Sequence, residues 1–431
     1  MSGTGHAVLG VELITTGANS NSWAIDFNSI EYLYLIEDLY SFCMTGRIKF
    51  IDRIGISEFG PLNGSEKMKI RFGNDGGEGN YNNITMNIQK IEKIDRVNET
   101  RPASNDMIEL VLVDEFYQQW HSHFWSKSWV DTKISDIIKD IATNHVGITE
   151  FDNFEPTREV LPYFDTHNRT PAECISWLMN RASGRESKQP GYLCYHGNNN
   201  EKDTFGYNLI TLEQLMQNKE WMPPYDQNDK AAYMFENDSQ YYINKIKNHK
   251  VLNIDLNAIK SLSGGTLMGW DIKRKKLIKQ VYTYEDAVDK FTILGRNTLF
   301  PTELQISKTT VKVDGYSNEG IMDNLWFGNW YKEYCNQQLV HITVDGHTKR
   351  QVGGMIRVIW PSHQEGESNT VSYNKETFNK QLDGRFLIKS ITNYFSKDIP
   401  MTGWQQKLVC IKNGYTSSPN PNLIPAKNKN L

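Results

Sequence analysis

A chain of 431 residues with 39% hydrophobic and 23% charged residues is too long for one hydrophobic core and too apolar for wholesale disorder. About two to four domains are therefore expected, and a formal net charge of -4 argues against sequence-independent nucleic-acid binding as the main task, because such binding is driven by Lys and Arg on phosphates. No segment approaches the ~20 apolar residues of a membrane span, and the N-terminal MSGTGHAVLG lacks signal-peptide order, so the chain is expected to stay where it is made without membrane insertion.

From Ala7 to Val113 nearly everything reads as strand. Arg47, Lys49 and Asp52 interleave with Ile48, Phe50 and Ile51; after a Gly- and Pro-punctuated connector, Lys67 and Lys69 interleave with Met68, Ile70 and Phe72. A period of two puts one face of each strand against a core. Gly73 to Asn80, GNDGGEGN, reads as a hairpin loop: a phosphate cradle should open a helix, and a calcium repeat needs several copies. After Gln119 the period changes. Thr132 to His145 places Ile134, Ile137, Ile138 and Ile141 on one helical face, with Gly147 as the stop. A second helix opens with Thr170, Pro171 and Glu173 as N-cap, first-turn proline and capping-box partner, and stops at Gly184. Strands over Gly191 to His196 and Tyr207 to Ile210 follow, then a short helix opened by Thr211 with Gln214. Tyr241 to Leu294 is again strand-rich, and Ile321, Met322, Leu325, Trp326, Trp330 and Tyr334 give the apolar face of a helix that contains the weak helix former Gly328. Strands over Val340 to Val344, Met355 to Trp360, LDGRFLIKSITNYF and KLVCI close the folded part, and Gly414 to Leu431 is too polar to fold alone.

The chemistry is sparse. His121 and His123 in WHSHFW would share a face in an extended segment, but no third ligand stands near and Trp120, Phe124 and Trp125 point to aromatic packing. Cys43, Cys174, Cys194, Cys335 and Cys410 are odd in number and far apart, and read as reduced core residues. No GxSxG, HExxH, Walker or dinucleotide motif occurs, and Ser183 with Gly184 lacks the context of a nucleophile elbow. No catalytic, cofactor-binding or metal-binding residue is therefore assigned, and no cofactor is expected. The basic run Lys273 to Lys276, with Lys279, reads first as a solvated strand edge and second as a contact for an acidic partner or passing DNA.

Four blocks in order, DLYSFCMTGRIKFID with PLNGSEKMKIRF, DTHNRTPAECISWLMNRASG with GYLCYHG, GGTLMGWDIKRKK with YTY, and VDGHTKRQVGGMIRVIWP with LDGRFLIKSITNYF, resemble the baseplate hub proteins of contractile-tailed bacteriophages. That family is related in fold to the hub part of type VI secretion spikes. The resemblance implies an α+β, mostly β chain with two tube-like β-barrel domains, an inserted α/β domain and a smaller accessory region. On this sequence they fall at 1–118 (first barrel), 119–240 (inserted domain), 241–296 with 339–413 (second barrel), 297–338 (accessory helical region) and 414–431 (flexible arm). It further implies a structural, non-enzymatic role in the virion, assembled in the host cytoplasm. The implied assembly is a homotrimer whose pseudo-sixfold ring joins the hexameric tail tube protein to a trimeric central spike protein, beside other baseplate proteins (wedge or tape-measure), with viral DNA passing through the lumen without specific binding. The 21 Tyr and 11 Trp suit such subunit contacts. Because the chain ends shortly after its last strand, a separate spike and a contractile tail are expected. A tail-associated peptidoglycan hydrolase and a glycan-binding tail component stand as alternatives, motivated by the carboxylates, the His pair and the aromatic residues.

Overall fold

The computed structural model describes residues 7–15, 22–53, 55–56, 62–74, 81–96, 106–199, 204–218, 232–234, 243–245, 248–252, 264–271, 274–291, 319–336, 339–358, 384–399 and 403–412. The loop Gly73 to Asn80 beyond Asn74, Lys273 and the tail from Gly414 lie outside them. The first part of the chain forms β1 (Ala7–Ile14), β2 (Ser22–Ile25), β3 (Ile30–Asp38), β4 (Thr45–Asp52), β5 (Lys67–Asn74), β6 (Tyr81–Arg96) and β7 (Asp106–Asp114). The middle forms α1 (Tyr117–Ser122), β8 (Ser128–Lys133), α2 (Ile134–Ile141), β9 (Phe151–Phe154), β10 (Val160–Asp165), α3 (Pro171–Met179), β11 (Tyr192–Asn199), β12 (Thr204–Thr211) and α4 (Leu212–Gln217). Then come β13 (Ala232–Met234), β14 (Ile243–Lys245), β15 (Asn248–Leu252), β16 (Gly264–Asp271), β17 (Lys276–Thr283), α5 (Tyr284–Lys290) and α6 (Glu319–Cys335). The last strands are β18 (Leu339–Asp345), β19 (Met355–Val358), β20 (Gly384–Phe395) and β21 (Trp404–Ile411).

The chain is mostly β, and strands from its two ends share one sheet. Among the described residues this sheet has 14 strands, with the main path β14-β13-β19-β20-β3-β4-β7-β6-β5-β1-β2; β21 pairs with β20 and β18, and β18 with β15. The join is β20 against β3, antiparallel from Ser390↔Asp38 to Phe395↔Leu33. On that same edge, Gly384 to Leu387 pair instead with β19. The exchange of partners falls at a bulge between Ile388 and Ser390, the device that bends a strand and ends one pairing before another begins. Gly384, at φ +126, enters this strand in a conformation that L side chains avoid.

The period-two reading of β4 and β5 is the one found: Ile48, Phe50, Met68, Ile70 and Phe72 are at most 1% exposed and pack with Leu33, Leu35, Phe395 and Trp404. The two strand sets assigned to two barrels thus share side-chain packing as well as hydrogen bonds. The middle segment has its own core, in which Ile134, Ile137, Ile138 and Ile141 are fully buried on α2. α2 then widens into a π-helical turn over Ala142–Val146 and stops at Gly147, φ +99. Thr170 and Glu173 form the expected capping box on α3.

One helix stands where strand was expected. Tyr284–Lys290 is helical within the stretch read as strand, because Thr283 and Asp286 form a capping box. The helix expected over Ile321 to Tyr334 is present as α6 with Gly328 inside it; a Cβ there would lie 3.0 Å from the Gly191 nitrogen, so the glycine lets the helix approach the chain entering β11.

Candidate functional site

Polar side chains converge in a buried seam where β3, β11, β20, β21 and the turn after β18 meet. Along β3, Leu33 and Leu35 point inward, and the same register sends Glu37 inward at 2% exposure. Its Oε2 accepts the Asn198 backbone N–H at 3.0 Å, its Oε1 accepts from Asn393 Nδ2 at 3.3 Å, and its carbonyl accepts from Ser390 Oγ at 2.8 Å. Asn393 Oδ1 in turn accepts from Trp404 Nε1 at 3.3 Å and Gln406 Nε2 at 2.8 Å. Arg350, 1% exposed, donates from Nη1 to Gln406 Oε1 and, at 2.9 Å, to the Asp345 carbonyl. Asn198 Nδ2 donates to the Thr348 carbonyl, which also accepts from Asn82 Nδ2 at 3.1 Å.

Electrostatics follow from this burial. Desolvation pushes the Glu37 carboxyl up to about 7, against the opposing pull of Asn198, His196 and Asn393. Behind it His196 pairs with Asp114 and stacks on Tyr207 with ring centroids 4.5 Å apart. Burial pulls the imidazole down, but the Asp114 carboxylate, the Phe205 backbone and Glu37 together outweigh it and leave His196 above its ordinary range. Asp114 is pushed up by burial and brought below its ordinary range by His196 and by the backbone N–H groups of Phe116 and Met44. Burial, with Arg350 and Lys349 beside it, brings His347 down to about 4. These groups hold one another in place; they do not present a reactive atom to a cleft.

The residues weighed from sequence are dispersed. His121 lies in the last turn of α1, against Tyr117, and His123 is its extended C-cap, so the segment is helical where the two-histidine reading needed it extended. Trp125 stacks on His145 at 3.6 Å and His123 faces His145 at 5.9 Å, aromatic packing of the kind expected, whereas Phe124, expected in it, is 60% exposed. Among the described residues no group of three or more His, Cys, Asp or Glu stands in metal-holding proximity. Ser183 donates to Glu159, a carboxylate that also accepts from Asn324 Nδ2 at 2.8 Å. All five cysteines are buried, and burial pushes Cys174 up to about 11 and Cys410 up to about 12, which leaves them protonated and poor nucleophiles. Arg274, Lys275 and Lys276 are exposed at the turn of the β16–β17 hairpin, and Lys279 on β17 is exposed too.

One cavity of about 370 Å³ opens beside the seam, lined chiefly by amide side chains, among them Asn153, Asn198, Asn208, Gln214 and Gln351. Sequence reading missed both the seam and this cavity. The available signal was polar residues in inward register: Glu37 after Leu33 and Leu35, and Asn393 between Ile391 and Phe395.

No protein-family model matches the sequence, and no curated protein matches it. Among solved structures, the fold is similar to that of the tail protein from Neisseria meningitidis MC58, with 12% identity and a TM-score of 0.54 over 95% of this chain and 97% of that one. It is also similar to the 43 kDa tail protein of prophage MuSo2 from Shewanella oneidensis, with 12% identity and a TM-score of 0.55 over 94% of this chain and 99% of that one. The mostly β fold implied by the resemblance is the fold found, and these solved neighbours are tail proteins.

Proposed function

We propose that the chain is a structural component of a phage tail, a hub that joins the tail tube to the central spike within the virion. The carrying observation is a fold shared over nearly the whole length with two tail proteins, in which strands from both ends of the chain build one sheet. A non-enzymatic role agrees with a seam whose carboxylates, imidazoles and amides are engaged in mutual hydrogen bonds. In this reading three copies form a pseudo-sixfold ring, one side meeting the tube and the other the spike, with DNA passing through the middle. The mass of the purified chain by light scattering, with electron microscopy of the particle, tests it. A trimeric ring is the expected result; a monomer at all concentrations, or an open filament, would count against the hub.

The amide-lined cavity favours a second reading, a glycan-binding tail component, because amides donate to and accept from sugar hydroxyls equally well. Calorimetric titration with chitin oligosaccharides tests that reading, and absence of heat at millimolar sugar would remove it.

A further inference from the structure

Among the described residues the β16–β17 hairpin stands as its own two-stranded sheet, a unit too small to be stable unaided. One face is covered: Leu267, Ile278 and Tyr282 belong to the core that includes α6, and the Tyr282 ring stacks on Trp326 at 5.2 Å. The opposite face is bare. Register pairs Trp270 with Leu277, Met268 with Lys279 and Thr266 with Val281 on that side, and Trp270, Leu277 and Val281 are 44%, 51% and 66% exposed. Large apolar side chains gathered on one exposed face mark a contact surface. Charge adds direction. Gly264 to Thr283 holds five Lys or Arg against one Asp, a net +4 inside a chain of net -4, so the rest of the chain carries -8. Among the described residues the hairpin's one ion pair is Arg274 with Asp271 at 3.8 Å.

We infer that the bare face of this hairpin docks on the acidic body of a second copy of the chain, making a head-to-tail contact. Two hairpins meeting across a twofold axis would bring like charges together, whereas a hairpin on the body of the next copy brings opposite charges together. Repeated head-to-tail contacts close into a ring when the rotation allows. A phosphate backbone would answer the lysines but not Trp270, Leu277 and Val281, so protein is favoured over DNA. The inference rests on the ring reading above and names the surface that builds the ring.

The test is sedimentation velocity and light scattering of the full chain at low and high salt, for the wild type and two double variants, Trp270→Ser/Val281→Ser and Lys276→Glu/Lys279→Glu. Self-association about tenfold weaker or more is expected in both variants, with unchanged circular dichroism and melting midpoint, and wild-type association should weaken as salt rises. Variants that keep the wild-type mass overturn the hairpin assignment while the ring reading stands. A monomeric wild type overturns both. Unchanged mass with lost binding to a short DNA duplex in the charge-reversed variant would overturn the assignment in favour of nucleic acid. All four side chains are exposed, so both variants are expected to fold, and either variant alone decides the question.

Discussion

The carboxylate of Glu37 accepts the backbone N–H of Asn198 at 3.0 Å, a bond between residues 161 positions apart that ties the N-terminal sheet to the middle α/β segment. The same side chain reaches Asn393 on β20, so one acidic group on β3 holds two distant parts of the chain. Buried networks of this kind are costly when left incomplete and define one arrangement when every member is satisfied.

Glu37 makes stability depend on pH. Its carboxyl is raised from an ordinary 4.5 to about 7 in the folded chain, so its contribution is fully present below about 4.5 and is lost as pH rises through 7. The wild type should lose on the order of 1–3 kcal/mol between pH 5 and 8 from this group. Glu37→Gln should flatten that slope in thermal melts, whatever its stability at any single pH, and an unchanged slope would refute the assignment.

His347 works in the opposite direction. Its imidazole is lowered from 6.5 to about 4, so its contribution is present above 6.5 and is lost as pH falls through 4. His347→Asn retains an acceptor for the Lys349 N–H, which now meets Nδ1 at 3.1 Å. Acid unfolding followed by tryptophan fluorescence should begin at a lower pH in this variant.

Gly328→Val should destabilise the chain by about 2 kcal/mol. Both sides of the contact are backbone, with a Cβ at position 328 lying 3.0 Å from the Gly191 nitrogen and 3.3 Å from its Cα, so neither side yields easily. Urea unfolding is the check. A neutral or stabilising effect would show that α6 has room to move away.

Tyr34 and Tyr394 face each other across the β3–β20 join, their rings stacked with centroids 4.7 Å apart. A double-mutant cycle to Leu at both positions should return a coupling of about 0.5–1.5 kcal/mol. Additive effects would mean that the two tyrosines contribute separately and not as a pair.

Thr170→Ala removes the hydroxyl that accepts the Glu173 N–H at 3.3 Å and leaves Glu173 Oε2 on the Thr170 N–H without its reciprocal partner. A loss of about 1 kcal/mol is expected, read by thermal melting. Restoration by Thr170→Ser would assign the loss to the cap.

Local features were legible in the sequence where one strong signal acted alone. The isoleucines of α2, the Thr170 cap and the alternation in β4 each follow from a periodicity or a hydrogen-bonding rule within a few residues. The β3–β20 join was not legible, because nothing within either strand specifies a partner more than 350 residues away. The helix through Gly328 was legible but the glycine's purpose was not: its value lies in the close approach of Gly191, and propensity sees only the cost to the helix. The seam was half visible, in that Glu37 and Asn393 broke apolar registers, but their mutual contact required the fold.

The change of partner along β20 sets a timetable. Ser390 meets Glu37 across 353 residues, so during synthesis at about 5–20 residues per second the far edge of β3 waits roughly 20–70 seconds for the strand that covers it. Until then Tyr34 and Ile36 stand on an open edge, the condition under which nascent chains pair wrongly with each other. The chain should therefore need chaperone protection late in translation, and fragments ending before β20 should aggregate even though their own strands are complete.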